Sequence, residues 1–305
     1  MASNANPLIT VYTCVYNMSD KIHRACDSVK SQTYKNIEHV IVNDGSTDDV
    51  ESVLEAYKSS VEYPVIIINK ENGGKHTALN AAWDNANGEY LIQVDADDEL
   101  YPNAIDFLLN VFLSIPEERR KDFWCVQGRC RTQKGDFVGD RYPDNINELP
   151  VKEKKYIAAH TKGDKIALQK KSALENMRYP TPKYVRHVLE GTVWKPLNEK
   201  YETWYTNEVV HIYYVGEGGS LSSNEFSRER MTTVCYASKW QILNKKYFPE
   251  NRIKYYASYA GAYQTAPDYF KKEYGFFEGF GLWQVCALIP FFILRPLLGC
   301  KMKKR

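Results

Sequence analysis

Tyr90-Leu91-Ile92-Gln93-Val94-Asp95-Ala96-Asp97-Asp98 passes from an apolar segment straight into three carboxylates within four residues. The first five residues predict a buried strand. Three carboxylates at a strand end repel one another unless a cation offsets them. A magnesium or manganese ion held by one or two of them would also hold a diphosphate. The competing reading is a helix N-terminus that gathers acids for its dipole, because Pro102 opens an apolar helix predicted to run to about Leu113.

Upstream, the same grammar repeats. Leu8–Tyr16, His39–Val42 and Val65–Ile68 read as strands. Between them lie helical patterns. Ile22, Cys26 and Val29 share one face behind Ser19 as a cap. Val50, Val53, Leu54 and Tyr57 share another behind Thr47 or Asp48. A third helix is predicted from Lys75 to about Ala86, stopped by Gly88. Strand and helix therefore alternate with short connections. That order predicts a Rossmann-like, mostly parallel sheet with helices on both faces. Such sheets bind ligands beyond the carboxyl ends of their strands. The polar clusters at Tyr16-Asn17, Asp44-Gly45-Ser46 and Asp95–Asp98 all follow strands, so they converge on one edge. At its strand end, Asp44 suits a hydrogen bond from a base N–H. Asn72-Gly73-Gly74-Lys75 is either a plain turn or a loop whose backbone approaches a ligand, with Lys75 near a diphosphate.

From residue 121 the pattern loosens. Phe123–Cys130 and Phe137–Tyr142 predict a hairpin around Lys134-Gly135-Asp136. Lys170–Met177 predicts a short helix, Val209–Val215 a strand, and Gly216–Ser222 a mobile loop. Residues 226–265 predict Tyr-rich helix. Phe280–Leu294 is almost all apolar, with Pro290 and Pro296 expected to interrupt it, and Lys301, Lys303, Lys304 and Arg305 close the sequence.

Composition sets bounds on function. In 305 residues, 44% are apolar and 26% charged, which suffices for a sizeable core. The mean hydropathy of -0.50 argues against a polytopic membrane protein. Residues 1–120 hold 9 basic and 19 acidic side chains, a net −10, and residues 121–305 hold 31 basic and 19 acidic, a net +12. An acidic first part is a poor binder of nucleic acid, whereas the basic remainder suits an anionic membrane surface. Seven cysteines at wide spacings contain no Cys-x-x-Cys, which argues against a zinc cage or a disulfide framework. The polar start carries no secretory run. Both points favour a reducing cytoplasm.

Five stretches in order resemble the family 2 glycosyltransferases: Leu8–Asn17, Ser31-Gln32-Thr33-Tyr34, Val42–Asp49 (with Asn43 for the usual Asp), Asn72–Asn80 and Gly88–Asp98. The resemblance implies a GT-A fold and an inverting, metal-dependent enzyme with UDP-sugar as the expected donor. It implies that Tyr16 and Asp44 contact the base, Lys75 the base or diphosphate, and Asp95 the ribose or metal. Asp97, in the Asp-x-Asp motif, would bind the metal, manganese or magnesium, with Asp98 and His211 as weaker ligand candidates. For His211 the reading as a packed core residue is favoured. The acceptor is expected to be a growing polysaccharide or lipid-linked glycan at the cytoplasmic membrane face, in cell-surface polysaccharide synthesis.

An inverting transfer needs a base for the acceptor hydroxyl. The family places an acidic residue at a helix start in its second half. Leu189-Glu190-Gly191-Thr192-Val193-Trp194 is the match, with Gly191 replacing the usual Asp. Glu190 is then the expected base, and Asp164 and Glu208 compete. Its other reading is a helix cap. The expected divisions are 1–120 for the nucleotide-sugar, 121–222 for acceptor and base, and 223–305 as a helical extension. Phe280–Leu294 is about 15 residues, short of the ~20 that span a bilayer. An interfacial helix fits both its length and the basic end better than a spanning or a core helix. Peripheral attachment to the inner face of the cell membrane is therefore expected. The alternatives are a sugar nucleotidyltransferase, disfavoured because Cys14–Met18 lacks glycine, and a non-catalytic sugar-nucleotide-binding or membrane-scaffold protein. Intact Asp95, Asp97 and Glu190 argue against the latter.

Overall fold

The computed structural model describes residues 6–216, 228–244, 246 and 252–297. Its contacts form two compact units. Within the described residues, the first takes 6–73, 77–178 and 196–216. The second takes 74–76, 179–195 and the segments from 228 onward.

The first unit is built on strands β1 (Ile9–Val15), β2 (Ile37–Asn43), β3 (Val65–Asn69), β4 (Tyr90–Gln93), β5 (Glu99–Leu100), β6 (Phe123–Thr132), β7 (Lys165–Lys170) and β8 (Glu202–Tyr213). Its helices are α1 (His23–Lys30), α2 (Val50–Lys58), α3 (Lys75–Asn85, whose first two residues join the second unit), α4 (Ala104–Ser114), α5 (Glu117–Arg120), α6 (Val151–His160) and α7 (Lys171–Leu174). Helix α8 (Gly191–Lys200) runs from the second unit into the first.

The strands form one sheet in the order β3-β2-β1-β4-β7-β6-β8-β5. β1 to β4 are parallel, with Ile9 opposite both Ile37 and Tyr90. β7 lies antiparallel between β4 and β6, β8 runs parallel to β6, and β5 closes the edge antiparallel to β8. β2 is buried at every residue and β1 at all but Cys14, the mark of strands covered on both faces. Ile9, Val11, Val15, Ile37 and Ile41 share one core with Ile22 at the N-cap of α1, Val29 of α1, Leu54 of α2 and Leu108 and Phe112 of α4. Two polar side chains of β2 that enter this interior are paired. Glu38 accepts from the Thr10 hydroxyl at 2.6 Å and from the Asn87 N–H at 2.6 Å. His39 bridges Thr13 Oγ1 at 3.0 Å and the Tyr57 hydroxyl at 2.9 Å. Burial holds its pKa down near 3, so the ring is neutral.

The four parallel strands and their helices stand where the sequence predicts. Other expectations change. Ser19 does not cap α1; its N–H donates to Asp48 Oδ2 at 2.8 Å instead. Residues 137–142 form no strand, and only Phe137 bridges β6, through Arg131. β6 pairs instead with β7, a strand that Lys165 and Lys170 at its ends concealed. β8 begins seven residues before the predicted Val209. The short helix near residue 170 shrinks to Lys171–Leu174.

The second unit contains α9 (Arg228–Leu243), α10 (Arg252–Thr265), α11 (Asp268–Glu273) and α12 (Leu282–Leu297). Two of its tyrosines join a ring cluster with satisfied hydroxyls. Tyr259 and Tyr263 lie 5.3 and 5.0 Å from Phe276, and donate to the carbonyls of Phe276 and Tyr274 at 2.7 Å each. Pro290 does not break α12, contrary to expectation. No helix among the described residues is long and apolar enough to cross a membrane. Most of the predicted loop at 216–222 and the basic residues 301–305 lie outside the described residues.

Candidate active site

The parallel register brings the ends of β1, β2 and β4 to one edge, and three polar clusters with them. After β1, Tyr16 is 47% exposed and Asn17 adopts a left-handed backbone, φ 51°. Its side chain is locked to the next cluster, because Asn17 Oδ1 accepts the Thr47 N–H at 2.7 Å and Ser46 Oγ accepts the Asn17 N–H at 3.0 Å. After β2, the amide of Asn43 does what a carboxylate could not. It donates to Asn69 Oδ1 at 3.0 Å while accepting the Ser46 N–H at 3.0 Å. Gly45 has φ +75°, and a Cβ there would sit 2.6 Å from the Asn72 nitrogen. The loops after β2 and β3 therefore touch backbone to backbone. Thr47 and Asp48 are not the N-cap of α2, which is Asp49; Asp48 instead joins the N–H groups of Ser19 and Val50. Those bonds overcome the opposing effect of burial and hold its carboxyl below the ordinary value.

Asp44 is buried at the end of β2. Its Oδ1 takes the Lys70 ammonium at 2.5 Å and the Gly73 N–H at 3.0 Å. Lys70 also donates to Thr77 Oγ1 at 2.9 Å. Sequence reading missed Lys70, although its place one residue past β3 on the same carboxyl edge was a usable signal.

After β4, the three carboxylates separate. Asp95 and Asp97 are half-buried, and Asp95 Oδ1 accepts from Gln93 Nε2 at 2.6 Å. Asp98 turns inward. Its Oδ1 accepts the Tyr214 N–H at 3.0 Å, and its Oδ2 lies 3.5 Å from His211 Nε2. Burial holds His211 near pKa 4 against the pull of Asp95, so it is a neutral imidazole. Its Nδ1 is buried without a hydrogen-bond partner. Gln93 and Tyr214 are two further positioning residues that no motif announced.

Among the described residues no group of three or more His, Cys, Asp or Glu side chains forms a ready metal cage. The donor set still fits magnesium or manganese. Such ions keep water ligands and are commonly bound by one or two carboxylates plus substrate phosphates. Half-buried Asp95 and Asp97 would hold such an ion, while Asp98 bonds Tyr214 and lies 3.5 Å from His211.

Ser31–Tyr34 is structural. Gln32 donates to the carbonyls of Ser28 and Tyr101 at 2.9 and 2.8 Å and accepts the Ile105 N–H at 3.2 Å, one of the orphan donors of α4. Tyr34 donates to the Pro7 carbonyl at 2.6 Å.

In the second unit, Lys75 opens α3 and lowers the pKa of His187, to which burial contributes more. Gly74 has φ +92°, and a Cβ there would collide with the Arg186 carbonyl oxygen at 2.1 Å. Glu190 is exposed and directly precedes α8; its carbonyl accepts the N–H groups of Val193 and Trp194 at 3.0 and 3.1 Å. Asp164 and Glu208, the competing bases, are exposed in the first unit.

Comparison with known proteins gives these residues a family. An uncharacterized glycosyltransferase of Rickettsia prowazekii is 40% identical over 106 residues, 35% of this chain and 32% of that protein. The hyaluronan synthase of Pasteurella multocida is 40% identical over 111 residues, but only 11% of its length is covered. The chain thus spans about a third or less of these curated relatives. A Campylobacter jejuni GalNAc(5)-diNAcBac-PP-undecaprenol beta-1,3-glucosyltransferase is 23% identical over 272 residues, 87% of this chain and 83% of that one. Among solved structures, S. aureus TarS 1–349 aligns over 94% of this chain and 80% of its own, with TM-score 0.56 and 15% identity. The Pyrobaculum calidifontis mannosyltransferase PcManGT, solved with GDP-Man and Mn2+, aligns over 94% and 79%, with TM-score 0.55 and 18% identity. These likenesses show a GT-A fold. The model of glycosyl transferase family 2 matches residues 10–177, more than half of the chain and every strand end described above except that of β8, and the chain belongs to that family.

Proposed function

We propose that this glycosyltransferase is inverting and metal-dependent, and moves a sugar from a UDP-sugar to a glycan or lipid-linked glycan in cell-surface polysaccharide synthesis. The observation that carries the reading is the carboxyl edge of β1, β2 and β4, where Asp44 and the pair Asp95 and Asp97 stand within one family match. S. aureus TarS has been solved with UDP-GlcNAc, which supports a uridine donor.

Tyr16, with its exposed ring, and Asp44 hold the base, and Lys75 the base or diphosphate. Asp95 holds the ribose or metal and Asp97 the metal. When bound, a magnesium or manganese ion would stabilise the charge that gathers on the departing nucleoside diphosphate. Gln93 orients Asp95. Glu190 takes the proton of the acceptor hydroxyl as that oxygen attacks the anomeric carbon, and its exposure before α8 is consistent with access to a carbohydrate. Residues 121–222 serve acceptor and base, and residues 1–120 the donor.

Attachment belongs to the last helix. Leu282, Trp283 and Ile289 on α12 are exposed and fit an inner-leaflet surface, and residues 271–305 hold seven basic and two acidic groups.

The experiment is release of UDP from a panel of UDP-sugars with manganese or magnesium, repeated with excess chelator. Release that needs the metal is expected. Equal turnover in chelator sinks the metal role. Glu190→Gln should retain UDP binding and lose ~10²–10⁴ in turnover, because an amide accepts no proton at neutral pH. Unchanged turnover would transfer the role to Asp164 or Glu208.

A further inference from the structure

Among the described residues, three cations on the antiparallel part of the sheet, Arg129, Arg131 and Lys165, form no ion pair with a carboxylate. Arg129 and Arg131 stand two residues apart on β6, and Arg129 faces Lys165 across the β6–β7 ladder. Both guanidinium carbons lie 4.2 Å from the centre of the Phe137 ring. Arg129 is only 5% exposed, and Nη2 reaches the Gly139 carbonyl at 3.5 Å. The Nε atoms of Arg129 and Arg131 are both buried without a hydrogen-bond partner.

The neighbouring acids act on Lys165 only at a distance or are bonded to other groups. Asp144 pairs with Arg141, and Asp140 accepts the Lys162 N–H at 2.9 Å. Lys165 donates to the carbonyls of Lys162 and Gly163 at 2.9 and 3.1 Å, and Asp164 is exposed. Burial, then Arg141 and Arg131, lower the pKa of Arg129. Lys165 is lowered too, chiefly by burial and with Arg129 adding to it, while Cys130, Asp164 and Asp140 oppose the shift. A buried cation without a counter-charge is unfavourable, and stacking on Phe137 offsets only part of that. An entering anion would turn this repulsion into attraction and fill both Nε positions.

The register says where such an anion would sit. Leu168 of β7 is opposite Ile92 of β4 and Val126 of β6. Asp95 and Arg129 are each three residues past that level, on strands that run the same way. Arg129 and Arg131 therefore share the carboxyl edge with Asp95, displaced two strands to one side, roughly 10 Å. Asp44 lies on the other side of β4, beyond β1.

We infer that Arg129, Arg131 and Lys165 bind an anionic group, a phosphate or a carboxylate, carried by the acceptor glycan. The inference rests on the transferase reading and adds a class of acceptor to it. The donor diphosphate is the other source of the same chemistry, so the test separates the two.

Binding of methyl phosphate and of glucuronate to the full chain is measured by titration calorimetry, with and without saturating UDP and magnesium, and with neutral methyl glucoside as control. The expected result is binding of at least one anion that persists when UDP is bound, and no comparable binding of the glucoside. Arg131→Gln, at a half-buried position, should weaken the anion ~10-fold or more and leave UDP affinity unchanged, which also reports that the variant is folded. Arg131→Lys should recover part of the loss. Displacement of the anion by UDP assigns the cluster to the donor and overturns the inference, as does undiminished anion binding by Arg131→Gln. Wild type that binds UDP but neither anion overturns this inference alone. Wild type that binds an anion but no UDP overturns the acceptor assignment together with the transferase reading.

Discussion

Helices α4 and α12 are both dominated by apolar side chains, yet they meet opposite surroundings. In α4, Ala104, Ile105, Leu108, Leu109 and Phe112 are all buried, against a sheet that offers β6, β7 and β8 as a floor. In α12, Leu288 is buried where the helix packs on α10, while Leu282 and Trp283 are 76% and 83% exposed. Apolar composition states that a helix gains by leaving water. It does not state what will cover it. The first helix buries its apolar face in the core, and the second leaves Leu282 and Trp283 in water.

The largest effect expected anywhere in the molecule falls on the carboxylates that follow β4 in the first unit. Asp97→Ala should lower turnover by ~10³ or more, several kcal/mol of transition-state stabilisation, without lowering the melting temperature. Removing one carboxylate from a cluster relieves repulsion when no cation is present. Initial rates and a thermal melt on the same sample check both halves of the statement, and a turnover near wild type breaks it.

The next effect tests burial. Leu108→Ala should cost about 2–5 kcal/mol by urea denaturation, whereas Leu282→Ala should stay within about 0.5 kcal/mol. Similar losses in the two variants would mean that α12 is covered in solution, and the contrast between the helices would collapse.

Acid acts more gently, on two imidazoles buried in the sheet. His39, in the sheet, is held neutral near pKa 3 and His211 near pKa 4, both below the ordinary 6.5. On unfolding each imidazole takes up a proton below pH 6.5, so the unfolded chain binds more protons and stability falls as pH falls. The slope is at most about 1.4 kcal/mol per pH unit for each ring, and the loss from each ends near its folded pKa. Stability melts from pH 7 to pH 4 should show the fall, and His39→Gln should flatten it. An equal slope in that variant removes His39 from the account.

The smallest free-energy change concerns Trp283. Trp283→Ala should leave stability within about 0.5 kcal/mol but weaken sedimentation with anionic liposomes, and the wild-type emission should shift blue as vesicles are added. High salt should weaken attachment without abolishing it, because burial of Trp283 and Leu282 is not screened. Wild type that stays in the supernatant with anionic vesicles breaks the membrane reading.

The parallel strands and the strand-end acids were legible because their signals are local. Apolar runs, caps and glycines act within a few residues, and Val94–Asp98 reads as a strand end wherever it is placed. The hairpin expected at 123–142 failed for a complementary reason. Phe137–Tyr142 has strand-like residues, but β6 found its partner in Lys165–Lys170, whose charged ends hide a strand of only six residues. Which chain pairs with which is settled by the whole sheet, not by either segment.

By itself, then, the sequence determined the alternation of β1 to β4 with their helices, the edge to which Tyr16, Asp44 and Asp95–Asp98 belong, and the family that these motifs resemble. Only the tertiary structure decided how the three neighbouring carboxylates differ in burial. Asp98 is consumed by the Tyr214 N–H and His211, residues more than a hundred positions away, whereas Asp95 and Asp97 keep half-open faces. It also decided that Lys70 answers Asp44, and that Arg129 and Arg131 meet around Phe137, each with a buried Nε that has no hydrogen-bond partner. Charge and type are properties of a residue. Partnership and desolvation belong to the neighbours that long-range pairing brings, and these give each charge its energy.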